Sequence, residues 1–400
     1  MSETTRHGAG QGTLLLLAAC NFVVGSGAMS ITGLIAPMAQ DLGVAPSSAA
    51  QLLAAYALCF AVSAPVVALL AARICRKVLL VWALACFGVL MLAGALAPSY
   101  TLLWAARAAA GVAAAAFVPN ASAVAASLAL PSERGRALTV VFGGFTAALV
   151  LGAPLGTYAG LAYGWRFTLA VLGLAALLLS AAARLKLPGG IMVPGATPAV
   201  FRAVLSQGRL LMLLAINAAS AFGSFAVFSL ASVAFPVLLN TAPANVANAL
   251  LVFGLGALAG NALSVAFLDR LGPVHMATAA LLATAAALAA LATAGAGPVV
   301  WGALALWGVA NFVGSTAMQT RLVAAGPELS SALLPMNSSA QFAGQSLGTA
   351  IGGLWLALHP DAVPGLAWIG FAALLVPTLA SWLHGARTTP PDGARRQAAT

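Results

Sequence analysis

Two kinds of side chain in the apolar stretches of this sequence could do chemistry: a single arginine and a group of amides. Arg107 lies in a long apolar run, where a guanidinium is costly unless it faces a cavity or a partner. Amides recur along other apolar runs, and three of them share one helical face at intervals of four residues. The candidate binding residues are Arg107, Asn21, Asn217, Asn311, Asn337, Gln341 and Gln345.

The chemistry of these groups is binding rather than bond breaking. Amides donate to and accept from uncharged polar molecules, and a guanidinium attracts dipoles and anions. Each feature also has a second interpretation. Arg107 could snorkel from a lipid interface, and each amide could hydrogen-bond a neighbouring helix. The sequence leaves these alternatives open.

Acidic residues are scarce, and all seven are predicted to fall in loops or tails. A proton-driven carrier usually places a carboxylate in its cavity, where its proton affinity changes with the side that it faces. Asp41, at the end of the first apolar run, is the candidate coupling residue, although an ordinary loop position explains it equally. Otherwise another ion or the substrate's own charge supplies the coupling, or the protein is a facilitator.

Enzymatic and metal-binding patterns do not stand out in the sequence. It has no glycine-rich phosphate loop followed by Lys-Ser or Lys-Thr, and its four histidines are scattered. The four cysteines have no ligand-like spacing. We therefore predict neither an enzyme nor a cofactor or metal site.

Composition determines the elements that carry the candidate residues. The chain is 62% hydrophobic and 6% charged, whereas a soluble domain has about 25% charged residues, so lipid must be its solvent. About 20 apolar residues cross a bilayer as a helix. Twelve runs of this kind are predicted at 14–38, 49–72, 78–97, 102–126, 137–160, 167–185, 209–235, 246–268, 274–293, 299–322, 331–357 and 364–383.

The net charge of +10 reflects topology. With a cytoplasmic N-terminus, every lysine and arginine except Arg107 and Arg166 falls on the inner side. This asymmetry is the positive-inside pattern, and it predicts that both termini are cytoplasmic. Nucleic acid is not predicted as a partner.

A Pro/Gly-rich basic segment divides the chain into two halves of six runs each. The predicted fold is an all-α membrane protein with twelve transmembrane helices in two pseudo-symmetric halves around a midplane cavity. The predicted divisions are a tail at 1–13, a half at 14–185, a linker at 186–208, a half at 209–384 and a tail at 385–400.

The fifth run carries a glycine stripe. Gly152, Gly156 and Gly160 recur every four residues, and Pro154 lies between the first two. Small residues let membrane helices approach closely. A smooth, kinked helix suits a surface that slides or rocks, and a static tight contact is the alternative.

Several motifs carry a family resemblance. The fragment "VLGAPLGT" with "GWRF" resembles the fifth-helix signature of the major facilitator superfamily, in its twelve-helix antiporter branch. The fragment "RAAAGVAAAAFVP" (107–119) is similar to the fourth-helix motif of that family. Other segments resemble exporters of arabinose and purines and chloramphenicol-resistance proteins. The resemblance implies the major facilitator fold and transport by alternating access.

The family's loop motif is only partly kept. In the family these loops latch the halves in one conformation through contacts between carboxylates and arginines. The first copy here, "RICRK", keeps Arg73 and Arg76, and the second, "FLDRLGP", keeps Asp269 and Arg270. The resemblance implies a gating role for these four residues. The first copy has alanine at the acidic position, Ala72, so its latch is expected to be weaker.

The expected function is export of small neutral or anionic molecules, such as a drug, sugar or nucleoside-like compound, by proton antiport. The expected setting is a bacterial inner membrane, with the protein as a monomer in contact with lipid. An uncoupled facilitator or importer is one alternative. A transporter-like sensor or assembly protein is an alternative of another class. Because the predicted spans hold an arginine and no acid, lipophilic cations are expected to be poor substrates.

Overall fold

The computed structural model describes residues 11–388 except 131, 132, 194 and 296. Most of the predicted tails, 1–13 and 385–400, lies outside the described residues. The described part is helical, with no strand, and the all-α fold class is confirmed. Its long helices are α1 Gln11–Gly33, α2 Pro46–Leu70, α3 Arg76–Ala95, α4 Tyr100–Leu128, α5 Arg134–Tyr163, α6 Trp165–Lys186, α7 Gly208–Phe228, α8 Pro243–Leu271, α9 Pro273–Thr293, α10 Pro298–Ala325, α11 Ser330–Leu358 and α12 Pro364–Thr388.

Eleven of these helices in the described part are long and apolar enough to cross a membrane. The remaining one, α11, has 29 residues, which at about 1.5 Å each exceed the bilayer core. Its polar residues lower its hydropathy. It packs extensively against α2 and α7, so neighbouring helices rather than lipid cover much of its surface.

The first helix of each half is broken near one end of the bundle. The last turn of α1, Ser30–Gly33, is a 3₁₀ helix, and a short helix, Ile35–Asp41, follows it. In the second half, α7 ends at a turn and Ala231–Leu238 continues it. The even number of crossings places the start of α1, the linker and the end of α12 at one end of the bundle. We call that end the linker face and the opposite end the distal face.

The two halves meet along α2 and α11 and at the distal face. Phe60 of α2 stacks on Phe342 of α11 with ring centroids 3.8 Å apart. At the distal face, the Ala36 backbone N–H donates to Ser232 Oγ at 3.0 Å, so the two broken helices are joined. Where α5 approaches α8, the contacts involve its distal part, residues 148–163. These contacts join the two halves at the distal face.

The glycine stripe of α5 packs within its own half. A Cβ built on Gly152 would lie 1.9 Å from Ser26 Oγ of α1, and one on Gly156 would lie 2.6 Å from Ser30 Cβ. Gly160 lies against Leu34 in the same way. The stripe thus makes a tight contact inside the half, as in the static interpretation. The contact between the halves uses Gly254 of α8, where a Cβ would lie 2.6 Å from Val150 Cα.

Pro154 is accommodated by a change of helix type. Residues 148–152 form a π turn, and an α-helix resumes at Ala153, with Pro154 in its first turn. Proline lacks a backbone N–H, and its ring clashes with the preceding turn of a regular helix. A π turn directly before it widens that turn and places the proline where no N–H is needed.

The loop-motif arginines have different surroundings from those that the resemblance implies. Arg76 is buried and donates from Nη2 to Val193 O at 3.0 Å, and Lys77 Nζ donates to Leu187 O at 2.6 Å. Both therefore hold the linker. Arg73 is exposed. Asp269 and Arg270 lie exposed in the last turn of α8, which corrects the expectation that every acid falls in a loop or tail.

The linker touches both halves. Its first part is held on α3 by Arg76 and Lys77, and the side chains of Leu187 and Ile191 are buried. Its second part forms the helix Pro198–Leu205, which packs against α7 and α11. The described residues of the linker therefore contact both halves at the linker face.

Candidate functional site

Arg107 lies inside the first half, two turns from the distal end of α4. Only 2% of its surface is exposed. Its Nη1 donates to Gly27 O of α1 at 3.0 Å and to Met91 Sδ of α3 at 3.5 Å. Its guanidinium lies 4.6 Å from the ring centre of Tyr56 on α2. Four helices therefore enclose this side chain, and the snorkelling alternative is wrong.

The charge of Arg107 has no carboxylate partner among the described residues. The nearby compensation comes from a carbonyl, a thioether and an aromatic face. Nε and Nη2 are buried without a hydrogen-bond acceptor. Unsatisfied buried donors are rare in proteins, and each calls for an explanation. The first half thus holds a buried cation with unused hydrogen-bonding capacity.

The second half contains a polar cavity of about 40 Å³ between α7, α9, α10 and α11. A cavity of this size holds about three water molecules or one small functional group. Three of the predicted amides line it, together with two serines: Asn217, Asn311, Gln341, Ser220 and Ser315. Phe225 and Met318 contribute apolar walls. This lining suits an uncharged hydrogen-bonding group.

The other predicted amides lie around this cavity or in the first half. Asn217 Nδ2 donates to Asn337 Oδ1 at 2.7 Å, joining α7 to α11. Asn21 Nδ2 donates to Val141 O at 3.0 Å and joins α1 to α5. Gln345 is buried one turn beyond Gln341 on α11. Asn21 and Asn337 therefore bond neighbouring helices, as the second interpretation of the amides proposes.

Sequence reasoning missed several residues around the site. Ser315 lines the cavity one turn after Asn311, and that spacing on α10 was an available signal. Arg321 is buried in α10, and its Nη1 donates to Ser381 Oγ at 2.7 Å. Its position near the end of an apolar run hid it among the loop arginines. Tyr56 had no sequence signal, since aromatic residues are common in apolar runs.

Asp41 lies at the distal face, away from both the cavity and Arg107. It forms an ion pair with Arg166 Nη1, and Trp165 Nε1 donates to its Oδ2 at 3.1 Å. The hydrogen bond from Arg166 lowers the pKa of the Asp41 carboxyl below its usual value. A carboxyl that is held ionised in this way is poorly suited to take up and release a proton near neutral pH.

We expect Asp41→Asn to leave the pH dependence of transport unchanged. The folded pKa is depressed, so the ion pair contributes its stability above the unfolded pKa of about 4 and loses it as pH falls through the folded value. Both side chains of the pair therefore stay charged from about pH 6 to 8. Because the pair is exposed, it contributes at most about 1 kcal/mol to the free energy of unfolding. Transport rates at several pH values in that range would check this. Loss of pH dependence in Asp41→Asn but not in Arg166→Gln would assign proton coupling to Asp41.

Comparison with known proteins adds to this geometry. Residues 17–353 match the family model described as Major Facilitator Superfamily. The chain is 27% identical to the MFS-type transporter YbcL of Bacillus subtilis over 385 residues, covering 92% of this chain and 95% of YbcL. It is 32% identical to a chloramphenicol resistance protein of Streptomyces lividans over 264 residues, covering 64% of this chain and 67% of that protein.

The fold also resembles a solved structure. A bacterial homolog of the human lysosomal transporter Spinster, crystallised in an inward-facing and occupied conformation, matches with a TM-score of 0.69 at 16% identity. The match covers 94% of both chains. At this identity the likeness concerns the fold alone.

Proposed function

The chain belongs to the major facilitator superfamily, and on that premise we propose that it exports small neutral or anionic molecules by alternating access. Its place is the bacterial cytoplasmic membrane, with both termini cytoplasmic, and it acts as a monomer that exchanges cargo for protons. The linker face is then the cytoplasmic face, as the distribution of lysine and arginine favours.

The observation that carries this proposal is the pair of polar features inside the two halves. One half has the cavity lined by Asn217, Asn311 and Gln341, and the other has the buried cation Arg107. Amides favour uncharged hydrogen-bonding groups, and the arginine repels cations and attracts anions or dipoles. A molecule with a neutral polar part, an apolar part and no positive charge fits both features.

The relatives suggest the first compounds to test. One relative is a chloramphenicol resistance protein, and chloramphenicol is a neutral molecule with hydroxyl and amide groups. A labelled pentose is a second neutral probe, without an apolar part. Ethidium, a permanent cation, is the contrasting probe.

We expect cells that express the protein to export labelled chloramphenicol or the pentose in an energy-dependent way. A protonophore should abolish that export, and ethidium should be retained. Cells with the Arg107→Ala variant at equal expression serve as the control. Robust ethidium export that depends on this protein would contradict the proposed substrate class. Retention of both neutral probes and of a labelled carboxylate such as benzoate would contradict the proposed export.

An uncoupled facilitator is the second candidate. The geometry of Asp41 favours it, because the candidate coupling acid is paired with Arg166 at the distal face. The same assay separates the two. Movement only down the concentration gradient, indifferent to the protonophore, would identify a facilitator.

A further inference from the structure

The unused donors of Arg107 lie on one edge of its guanidinium. Nε–H and Nη2–H point the same way from the planar group, and both are buried without an acceptor. This edge is the one that holds both oxygens of a carboxylate in parallel hydrogen bonds. Nη1, on the other side, is already engaged with Gly27 O. The free edge therefore has the shape and charge of a carboxylate receptor.

Among the described residues, no acid reaches this edge. The described carboxylates, Asp41, Glu133, Asp269, Glu328 and Asp361, lie at helix ends or in loops. Tyr56 offers its ring face to the guanidinium, and a ring face compensates a buried cation only in part. An acceptor for Nε and Nη2 must therefore come from outside the described part of the chain.

Arg321 shows how the same fold satisfies a buried arginine when no ligand is needed. It is 5% exposed, and Ser381 accepts from its Nη1 at 2.7 Å and from its Nη2 at 3.5 Å. Both acceptors, the hydroxyl and the backbone carbonyl of Ser381, belong to α12. Arg76 also has buried donors without an acceptor, Nε and Nη1, but they do not share an edge, and its Nη2 holds the linker at the linker face. Among the buried arginines of the described part, the free Nε–Nη2 edge is therefore particular to Arg107.

Arg107 is also connected to the contact between the halves. Tyr56, which lies over its guanidinium, is 6.5 Å from Phe342 of α11, and Phe342 belongs to the second half. A group bound to Arg107 is thus enclosed when the distal face closes. The Met91 side chain, whose Sδ contacts Nη1, is flexible and can adjust its position as a group binds at the free edge.

We propose that Arg107 is a receptor for a carboxylate, held by Nε–H and Nη2–H, and that its occupancy favours the conformation closed at the distal face. This inference rests on the proposed transport function. The carboxylate belongs either to the transported molecule or to a separate small anion that binds beside it. In either case it supplies the negative charge that the surroundings of Arg107 lack, and it stabilises a cation that closure would otherwise bury unpaired.

The test compares benzoate with benzamide, its neutral counterpart of the same shape, on the purified full chain in detergent. Benzoate should raise the Tm of the wild type saturably, by at least about 2 °C, and benzamide should not. Arg107→Gln should abolish the shift. Arg107→Lys keeps the charge but loses the parallel pair of donors. It should raise the benzoate concentration that gives half of the maximal Tm shift at least about tenfold.

Arg321→Lys is the matched control, since it makes the same change at a buried arginine whose Nη1 and Nη2 both donate to Ser381. It should respond to benzoate as the wild type does, whatever its own Tm. Equal shifts with benzamide, or a shift that persists in Arg107→Gln, would overturn the proposal. The absence of a shift with both benzoate and the smaller acetate would overturn it too.

Transport assays distinguish the two sources of the carboxylate. Export of labelled benzoate would place the carboxylate on the cargo. Benzoate that stimulates chloramphenicol export without moving itself would identify a separate anion. Chloramphenicol or pentose export with no response to any carboxylate would leave the proposed function standing and remove the receptor.

Discussion

Export is expected to fall at least about tenfold in Arg107→Met, while the Tm stays the same or rises. A hydrogen bond to a charged group is worth about 1.5–3 kcal/mol, which is about tenfold or more in rate or affinity. Replacing a buried, uncompensated charge by an apolar side chain of similar volume is often neutral or stabilising by about 1–4 kcal/mol. Methionine also fills irregular space. Activity and stability should therefore move in opposite directions.

Leu103→Met is the matched control for this prediction. Leu103 is buried one turn before Arg107 on α4, so the variant tests a methionine in the same helix without removing a charge. The variant should lower the free energy of unfolding by less than about 1.5 kcal/mol and leave export near the wild-type rate. Initial export rates and Tm values, measured on the same preparations, provide the comparison. Wild-type export by Arg107→Met would remove Arg107 from the site.

The second large effect is expected from Gly144→Ala, which should strongly reduce the yield of folded protein. A Cβ on Gly144 would lie 2.0 Å from Ala18 O, a backbone atom of α1. Because a backbone atom cannot turn aside, α1 and α5 must separate. That separation removes close contacts along the pair, and overpacking of this kind costs about 1–3 kcal/mol or more. The measurement is the monodisperse fraction after detergent extraction, together with Tm.

Gly143→Ala provides the comparison for Gly144→Ala. It makes the same chemical change one position earlier, where a Cβ would meet nothing within 4 Å. Replacing an exposed helical glycine by alanine should be neutral or stabilising by up to about 1 kcal/mol. Gly344→Ala should behave like Gly144→Ala, since its Cβ would lie 2.0 Å from Ala218 O of α7. Equal yields of Gly143→Ala and Gly144→Ala would contradict the packing argument.

Much of the fold follows from the sequence because lipid imposes a simple rule on it. Apolar runs of sufficient length must be helices, since lipid offers no partner for backbone groups. Even so, α11 could be recognised as a span only by its length and family motif, because its amides lower its hydropathy. The break in α1 was not predicted, although Pro37 lies four residues after Gly33 and its ring is incompatible with a regular helix through that residue. It depends on how Ile35–Asp41 packs against the second half.

The site was predictable in its residue types more than in its arrangement. Because a charged side chain inside the membrane is costly in free energy, Arg107 can be singled out from the sequence alone. Which of its donors lack an acceptor depends on Gly27, Met91 and Tyr56, which come from three other helices. The pairing of Asp41 with Arg166 joins residues far apart in the chain. Local patterns do not encode such contacts, so the candidate coupling acid could not be judged before the structure.

The linker also limits how far the protein can move. Arg76 and Lys77 hold it as far as Val193, and the helix that packs on α7 and α11 starts at Pro198. Five residue steps separate these two anchors, and they span at most about 17 Å when fully extended. While both anchors hold, that reach is the largest distance by which the two attachment points of the linker can separate. In a transporter of this family, the linker would then limit how far the two halves can separate, and with that the largest molecule that can pass between them.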